Sequence, residues 1–151
     1  MESKKSFFPL FIDLTNKNCL VVGGGNIAAR KVRTLVEYGA RVIVIAPSIL
    51  PEILDQDVDI EKRGFKAEDI KDKFLVVAAT DDEKLNEMIV DLCEDSNILV
   101  NNITSKTYMS ARFTAHIDNN EYQIAISAKG NPRESVKLKR ELMEYLKNRK
   151  D

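Results

Sequence analysis

Over the first hundred residues, short unbroken apolar runs alternate with longer amphipathic stretches. Cys19-Leu20-Val21-Val22 is a continuous apolar run of the kind buried on both faces of a parallel sheet. Gly23-Gly24-Gly25 ends it, and a helix is predicted from about Asn26 to Tyr38, with Ile27, Ala28, Val32, Leu35 and Val36 as its apolar residues. Gly39 stands at the stop. Arg41 to Ala46 reads as a second strand, ended by Pro47. A weaker middle follows, with a helical turn within Ser48 to Asp55, a third strand at Val58 to Lys62 and a short polar helix or loop at Ala67 to Asp72. Phe74 to Ala79 is a strongly apolar fourth strand. Thr80-Asp81-Asp82-Glu83 has the form of a capping box in which Thr80 and Glu83 satisfy the first free N–H groups. The helix it opens runs to about Asp95, with Leu85, Ile89, Leu92 and Cys93 inward, and Ile98-Leu99-Val100 is a fifth strand.

Strands alternating with helices in this way mean a parallel, doubly wound α/β sheet of the Rossmann type. The pattern changes near Arg112. Phe113 to Ile117 and Tyr122 to Ala128 flank Asp118-Asn119-Asn120, a hairpin signal. A basic helix from about Pro132 to Arg149 follows, carrying Val136, Leu138, Leu142, Tyr145 and Leu146. The expected organisation is a Rossmann domain over residues 1–112 and a small C-terminal α+β segment over 113–151.

The glycine turn is the first candidate site. Gly23-Gly24-Gly25-Asn26-Ile27-Ala28 matches G-x-G-x-x-A, directly after a strand and directly before a helix. Gly23 allows the tight turn, Gly25 lets a pyrophosphate approach the backbone, and the small Ala28 lets the helix pack closely on the sheet. Free N–H groups and the helix dipole then favour phosphate. Context makes this match strong, where a lone one is weak. The acidic partner of the adenosine ribose, expected at the end of the second strand, is missing, because Ala46-Pro47-Ser48 stands there. Ser48 offers a hydroxyl without charge, so these residues leave NAD and NADP both open.

Composition narrows the field. Of 151 residues, 44% are hydrophobic and 31% charged, as expected of a globular chain. With 23 basic and 24 acidic residues the net charge is −1, which argues against nucleic acid as the main partner. Cys19 and Cys93 sit in apolar runs and read as reduced core thiols. The polar start at Met1 to Ser6 and the short apolar stretch Phe7 to Ile12 lack the form of a secretory signal, and no run approaches a membrane span. The expected location is the cytoplasm, with no membrane partner.

Several segments together resemble the precorrin-2 dehydrogenase family, which also forms the N-terminal module of siroheme synthases. They are Phe8-Pro9-Leu10-Phe11-Ile12, Val21 to Lys31, Tyr38-Gly39-Ala40-Arg41-Val42, Ala78-Ala79-Thr80-Asp81-Asp82 and Val100-Asn101-Asn102. The resemblance covers nearly the whole chain. It implies oxidation of precorrin-2 to sirohydrochlorin with NAD, on the way to siroheme or cobalamin. On these positions it implies that Asn26 and Ile27 meet the pyrophosphate and nearby ribose, that Pro47 and Ser48 lie at the adenosine, and that Ala79, Thr80, Asp81 and Asn101 to Ile103 line the nicotinamide side. It further implies that the hairpin and last helix are a dimerisation segment, giving a homodimer.

In some members the same site also inserts iron. Where the family commonly carries an aspartate after the fifth strand, this chain has Thr104, which lacks a carboxylate for a base or an iron ligand. A bifunctional dehydrogenase and ferrochelatase is therefore the alternative rather than the first reading. The family's C-terminal helical extension has no counterpart after Asp151, so a minimal member or a cover from another protein is expected. Thr104 and Asp81 are the catalytic candidates, and no resident metal site is expected.

Precorrin-2 carries many carboxylates, so its site needs cations beside an apolar wall. Lys106, Arg112, Lys129, Arg133 and Lys137 are the candidates, and Gly130-Asn131-Pro132 opens the last helix as a further anion site. His116, the only histidine, is a candidate substrate contact and lacks the partners of a metal ligand. The reading from another class is a non-catalytic, NAD-binding regulatory module. Such modules usually keep the ribose-binding acid that is missing here.

Overall fold

The computed structural model describes residues 6–149. The polar start at Met1 to Ser6 falls largely outside the described residues, as does the end at Asp151. The chain divides between Ala111 and Arg112 into two compact units.

The first unit is a five-stranded parallel sheet in the order β3-β2-β1-β4-β5. Its strands are β1 (Asn18–Val22), β2 (Arg41–Ile45), β3 (Asp59–Glu61), β4 (Leu75–Ala78) and β5 (Leu99–Asn102). Between them lie α1 (Asn26–Glu37), the short α2 (Pro51–Leu54), a 3₁₀ turn at Ala67–Ile70, and α3 (Glu83–Asp95). The expected α/β class is borne out. Leu20, Val22, Ile45, Val76, Ala78 and Val100 form one buried face with Ile89, Val90 and Cys93 of α3 and Ile70. The alternate strand positions, among them Val21, Val44 and Val77, are equally buried, as are Ala28, Ala29, Val32 and Leu35 of α1. A strand covered on both faces has no use for polar alternation, which is why these runs are continuously apolar. Each fully buried Val, Leu or Ile contributes roughly 1.5–3 kcal/mol.

Three local expectations change. The cap of α3 is Asp82, whose carboxylate accepts from the N–H of Lys84 (3.1 Å) and Leu85 (3.2 Å). The proposed Thr80–Glu83 box does not form, because a capping side chain must directly precede the first helical residue, here Glu83. The fifth strand runs on to Asn102 rather than stopping at Val100. Asparagine is a poor strand former, but both side chains hold the following loop: Asn101 Nδ2 donates to the Ala111 carbonyl (3.0 Å) and Asn102 Nδ2 to the Tyr108 carbonyl (3.1 Å). Asn86 lies fully buried on α3 beside the expected apolar residues.

The second unit is an antiparallel hairpin, β6 (Ala115–Asp118) and β7 (Gln123–Ile126), with α4 (Pro132–Asn148) packed on it. Ile117 and Ile126 are buried, whereas Val136, Leu138, Met143 and Tyr145 of α4 are exposed. Among the described residues, no helix is long and apolar enough to cross a membrane.

Both cysteines are free and buried. Burial pushes the Cys19 thiol up to about 11 and the Cys93 thiol up to about 12. Their neutral forms favour the fold: that contribution is complete below the ordinary value of 9.0 and is lost as pH rises through the two raised values. At pH 8 a disulfide reagent such as Ellman's is expected to find less than about 0.1 equivalent of thiol in the native protein within minutes, and both thiols in guanidinium. Fast native reaction at either residue would contradict this packing.

Candidate functional site

The sheet order reverses beside β1, and the crevice at the carboxyl ends of β1 and β4 is the place where such folds take ligands. The glycine turn sits there. Gly23 N–H donates to the Ile45 carbonyl (3.0 Å) and Ala79 N–H to the Val22 carbonyl (2.8 Å), so the turn is bonded to β2 and to the residue after β4.

The three glycines have three different reasons. Gly23 has φ +136°, and a Cβ there would overlap the Ala79 carbonyl oxygen and lie 2.6 Å from its carbon. Gly24 has no room either: a Cβ would overlap the Ser48 carbonyl oxygen and lie 2.8 Å from Ile49 Cα. Leu50 N–H donates to the Gly24 carbonyl (2.9 Å), locking the loop after β2 against the turn. This role of Gly24 was not legible in the motif. Gly25 differs from both, because a Cβ there would meet nothing within 4 Å.

Gly25 is also the N-cap of α1, with no side-chain cap bond and no acidic residue in the first turn. The first N–H groups of a helix need an outside acceptor, and a helix start left positive attracts anions. Open space over Gly25, bare N–H donors and a positive helix end fit the pyrophosphate of a dinucleotide. Asn26 and Ile27 stand exposed at this helix start. Pro47 and Ser48 are exposed at the end of β2, beside the turn that Ser48 touches through its backbone.

The ends of β4 and β5 are tied together by a polar chain. Thr80 Oγ1 donates to Asn86 Oδ1 (2.6 Å), and Asn86 Nδ2 donates to the Thr80 carbonyl (3.0 Å) and to Thr104 Oγ1 (3.2 Å). Thr104 Oγ1 donates in turn to Asn102 Oδ1 (2.9 Å). The structure thus brings Thr80 and Thr104 together through Asn86, which the sequence reading missed. The available signal was a polar residue at the helical spacing of Ile89, Val90 and Cys93. The Thr104 hydroxyl donates to one amide and accepts from another, so it is a holding group rather than a free base. Asp81 is exposed beside this chain. Asn101 is 4% exposed, and its Nδ2 faces Met109 and Ala111, while its Oδ1 is buried without a hydrogen-bond partner.

Of the cationic candidates, Lys106 belongs to the first unit and is exposed, and the others belong to the second. Arg112 and His116 are half-buried there. Lys129 takes a left-handed conformation (φ 54°) next to Gly130 (φ 92°), which sharpens the turn into α4. Arg133, Val136, Lys137 and Arg140 line a shallow depression on α4. The start of α4 differs from that of α1: Asn131 Oδ1 accepts from Glu134 N–H (3.3 Å), and Glu134 puts a carboxylate in the first turn. Among the described residues, no three His, Cys, Asp or Glu side chains cluster as a metal site.

Residues 10–115 match the sequence model of a family described as "Putative NAD(P)-binding". The chain belongs to this family. Its glycine turn is therefore one for which NAD(P) is the expected class of ligand. The resemblance read from the motifs is borne out as well. The chain is 41% identical to a siroheme synthase of Mannheimia succiniciproducens over 145 residues, and 37% identical to one of Thioalkalivibrio sulfidiphilus over 142. These matches take in 93% and 91% of this chain, which spans about 30% of the length of the curated relatives it matches. A solved structure titled "SirC, precorrin-2 dehydrogenase" superposes with a TM-score of 0.78 at 26% identity, over 92% of this chain and 71% of that one.

Two substitutions separate support of the turn from ligand contact. Gly24→Ala is expected to lower stability by about 1–3 kcal/mol, because its Cβ meets backbone. Gly25→Ala is expected to melt within a few degrees of the parent and to weaken dinucleotide binding by more than about tenfold, since the added methyl takes the phosphate's space. Calorimetric titration and thermal melts read both, and unchanged binding by Gly25→Ala would remove Gly25 from the site.

Proposed function

We propose that this chain oxidises precorrin-2 to sirohydrochlorin with NAD as the hydride acceptor. The observation that carries the reading is the open, uncapped helix start over Gly25 at the sheet's reversal point. Likeness to siroheme synthases and to a precorrin-2 dehydrogenase supports the choice of substrate.

When bound, NAD supplies a nicotinamide carbon that takes a hydride. The chain's part is to hold it and to manage the proton. N–H groups at Asn26 and Ile27 hold the pyrophosphate, Pro47 and Ser48 flank the adenosine, and Thr80 and the β5 end border the nicotinamide. Asp81 accepts the proton released with each hydride. Thr104, tied to Asn86 and Asn102, keeps the loop after β5 in place. Asn101 serves the same end by holding that loop from beneath. Lys106, Arg112, Lys129 and Arg133, with Lys137, supply the cationic contacts for the substrate's carboxylates, and His116 is a further substrate contact. The exposed Val136, Leu138, Met143 and Tyr145 favour a homodimer built on α4 and the hairpin, and the cytoplasm is the compartment proposed.

Anaerobic incubation with enzymatically made precorrin-2 and NAD tests the reading: sirohydrochlorin and NADH are expected to appear in step. NAD binding without product would sink the dehydrogenase. Asp81→Asn is expected to lower kcat by about 10²-fold or more while leaving NAD affinity unchanged, as removal of a proton acceptor does. Full activity in that variant would remove Asp81 from the chemistry.

A further inference from the structure

The loop after β5 leaves the sheet at Asn102 and returns to it at Ser110. Its root is pinned on the strands. Ile103 N–H donates to the Ala78 carbonyl (3.1 Å), and the N–H groups of Ser110 and Ala111 both donate to the Val100 carbonyl (2.9 and 3.0 Å). Ser110 Oγ accepts from Val100 N–H in return (2.9 Å). Its tip is a tight turn in which Ser105 Oγ accepts from the N–H groups of Thr107 (3.2 Å) and Tyr108 (2.8 Å). Lys106 is exposed at that tip, and it is the one proposed substrate cation in the same compact unit as the glycine turn.

Tyr108 joins root to tip. Its carbonyl accepts from Asn102 Nδ2 (3.1 Å), and its hydroxyl donates to the carboxylate of Asp91 on α3. Asp91 is exposed on that helix, whereas Asn86, buried on it, holds Thr104. The two ends of the loop are therefore tied to one helix, Thr104 through a buried residue and Tyr108 through an exposed one. Tyr108 is 43% exposed, so packing alone leaves its ring more than one position, and the bond to Asp91 selects one. That hydrogen bond, with partial desolvation and the charges of Asp91, Glu87 and Glu94, pushes the Tyr108 phenol up to about 12, so it stays a donor at neutral pH.

We propose that Tyr108 and Asp91 form a latch that positions Lys106 for the substrate's carboxylates, which makes them positioning residues for substrate affinity. This rests on the reading that the chain oxidises precorrin-2. A cation on a loose loop loses conformational freedom when it grips an anion, and a latched loop has lost that freedom beforehand. None of these bonds involves the glycine turn or Asp81, so cofactor affinity and the chemical step are independent of the latch.

Steady-state turnover of precorrin-2 at saturating NAD, read beside amide hydrogen exchange of the full chain without ligands, tests this. Tyr108→Phe removes one hydroxyl. It is expected to raise KM for precorrin-2 by about fivefold, the order of one partly exposed charge-assisted hydrogen bond, with kcat within about twofold and NAD affinity unchanged. Asp91→Ala is expected to do the same, and the double variant no more than either alone. Asp91→Asn keeps an acceptor oxygen and is expected to raise KM by less than about twofold, a rescue that mere loss of charge on α3 would not give. In Tyr108→Phe and Asp91→Ala, exchange across Ser105 to Tyr108 is expected to quicken by at least about threefold, with the strands unchanged. Exchange unquickened in Tyr108→Phe would rule out the latch, and quickened exchange with an unmoved KM would overturn its role in substrate binding. A parent that binds NAD and forms no product would overturn the dehydrogenase reading and this substrate role with it, and the exchange rates would still tell that outcome from a loop that was never latched.

Discussion

Backbone packed directly on backbone at the glycine turn is the constraint on which the rest depends. Gly23 lies against the Ala79 carbonyl and Gly24 against the Ser48 carbonyl. No side chain fits in either gap. That closeness brings the ends of β1, β2 and β4 to one edge, and it leaves α1 starting at that edge with its first N–H groups bare. Widening either gap would loosen the loop after β2 or the residues after β4, since both are registered on this turn. The open, uncapped helix start follows from that packing.

A second device holds the far half of the same edge. Asn86, fully buried on α3, joins Thr80 after β4 to Thr104 after β5, and Asn102 takes up the remaining proton of Thr104. A buried amide in an apolar core is costly unless its donors and acceptors are met, and here Oδ1 and Nδ2 are both engaged. Moving either strand end would leave a polar group without its partner. Thr104 is absorbed into this scaffold, and Asp81, which follows Thr80 in the chain, is exposed.

Much of this was legible in residue order. Continuous apolar runs announced strands covered on both faces, and the strand-glycine-helix order announced the turn. What was not legible involved partners distant in sequence. The reason for Gly24 is the carbonyl of Ser48, and the cap of α3 is Asp82 rather than Thr80 because the helix begins at Glu83, while Thr80 bonds to Asn86. The apolar pattern puts the fifth strand at Ile98 to Val100, yet Asn101 and Asn102 pair with Val77 and Ala78 of β4 and so extend it, while their amides donate to the carbonyls of Ala111 and Tyr108. The pairing of β2 with β3, in which Ile45 lies opposite Glu61, is likewise a tertiary fact.

By itself the sequence determined the class of fold, the place of the glycine turn and the identity of the family, because these rest on periodicity and on contiguous residues whose backbone demands are local. Only the tertiary structure decided which glycine faces open space and which polar side chains hold the strand ends. Those depend on strand order and register, and hydrogen bonds across neighbouring strands join residues that no local pattern connects.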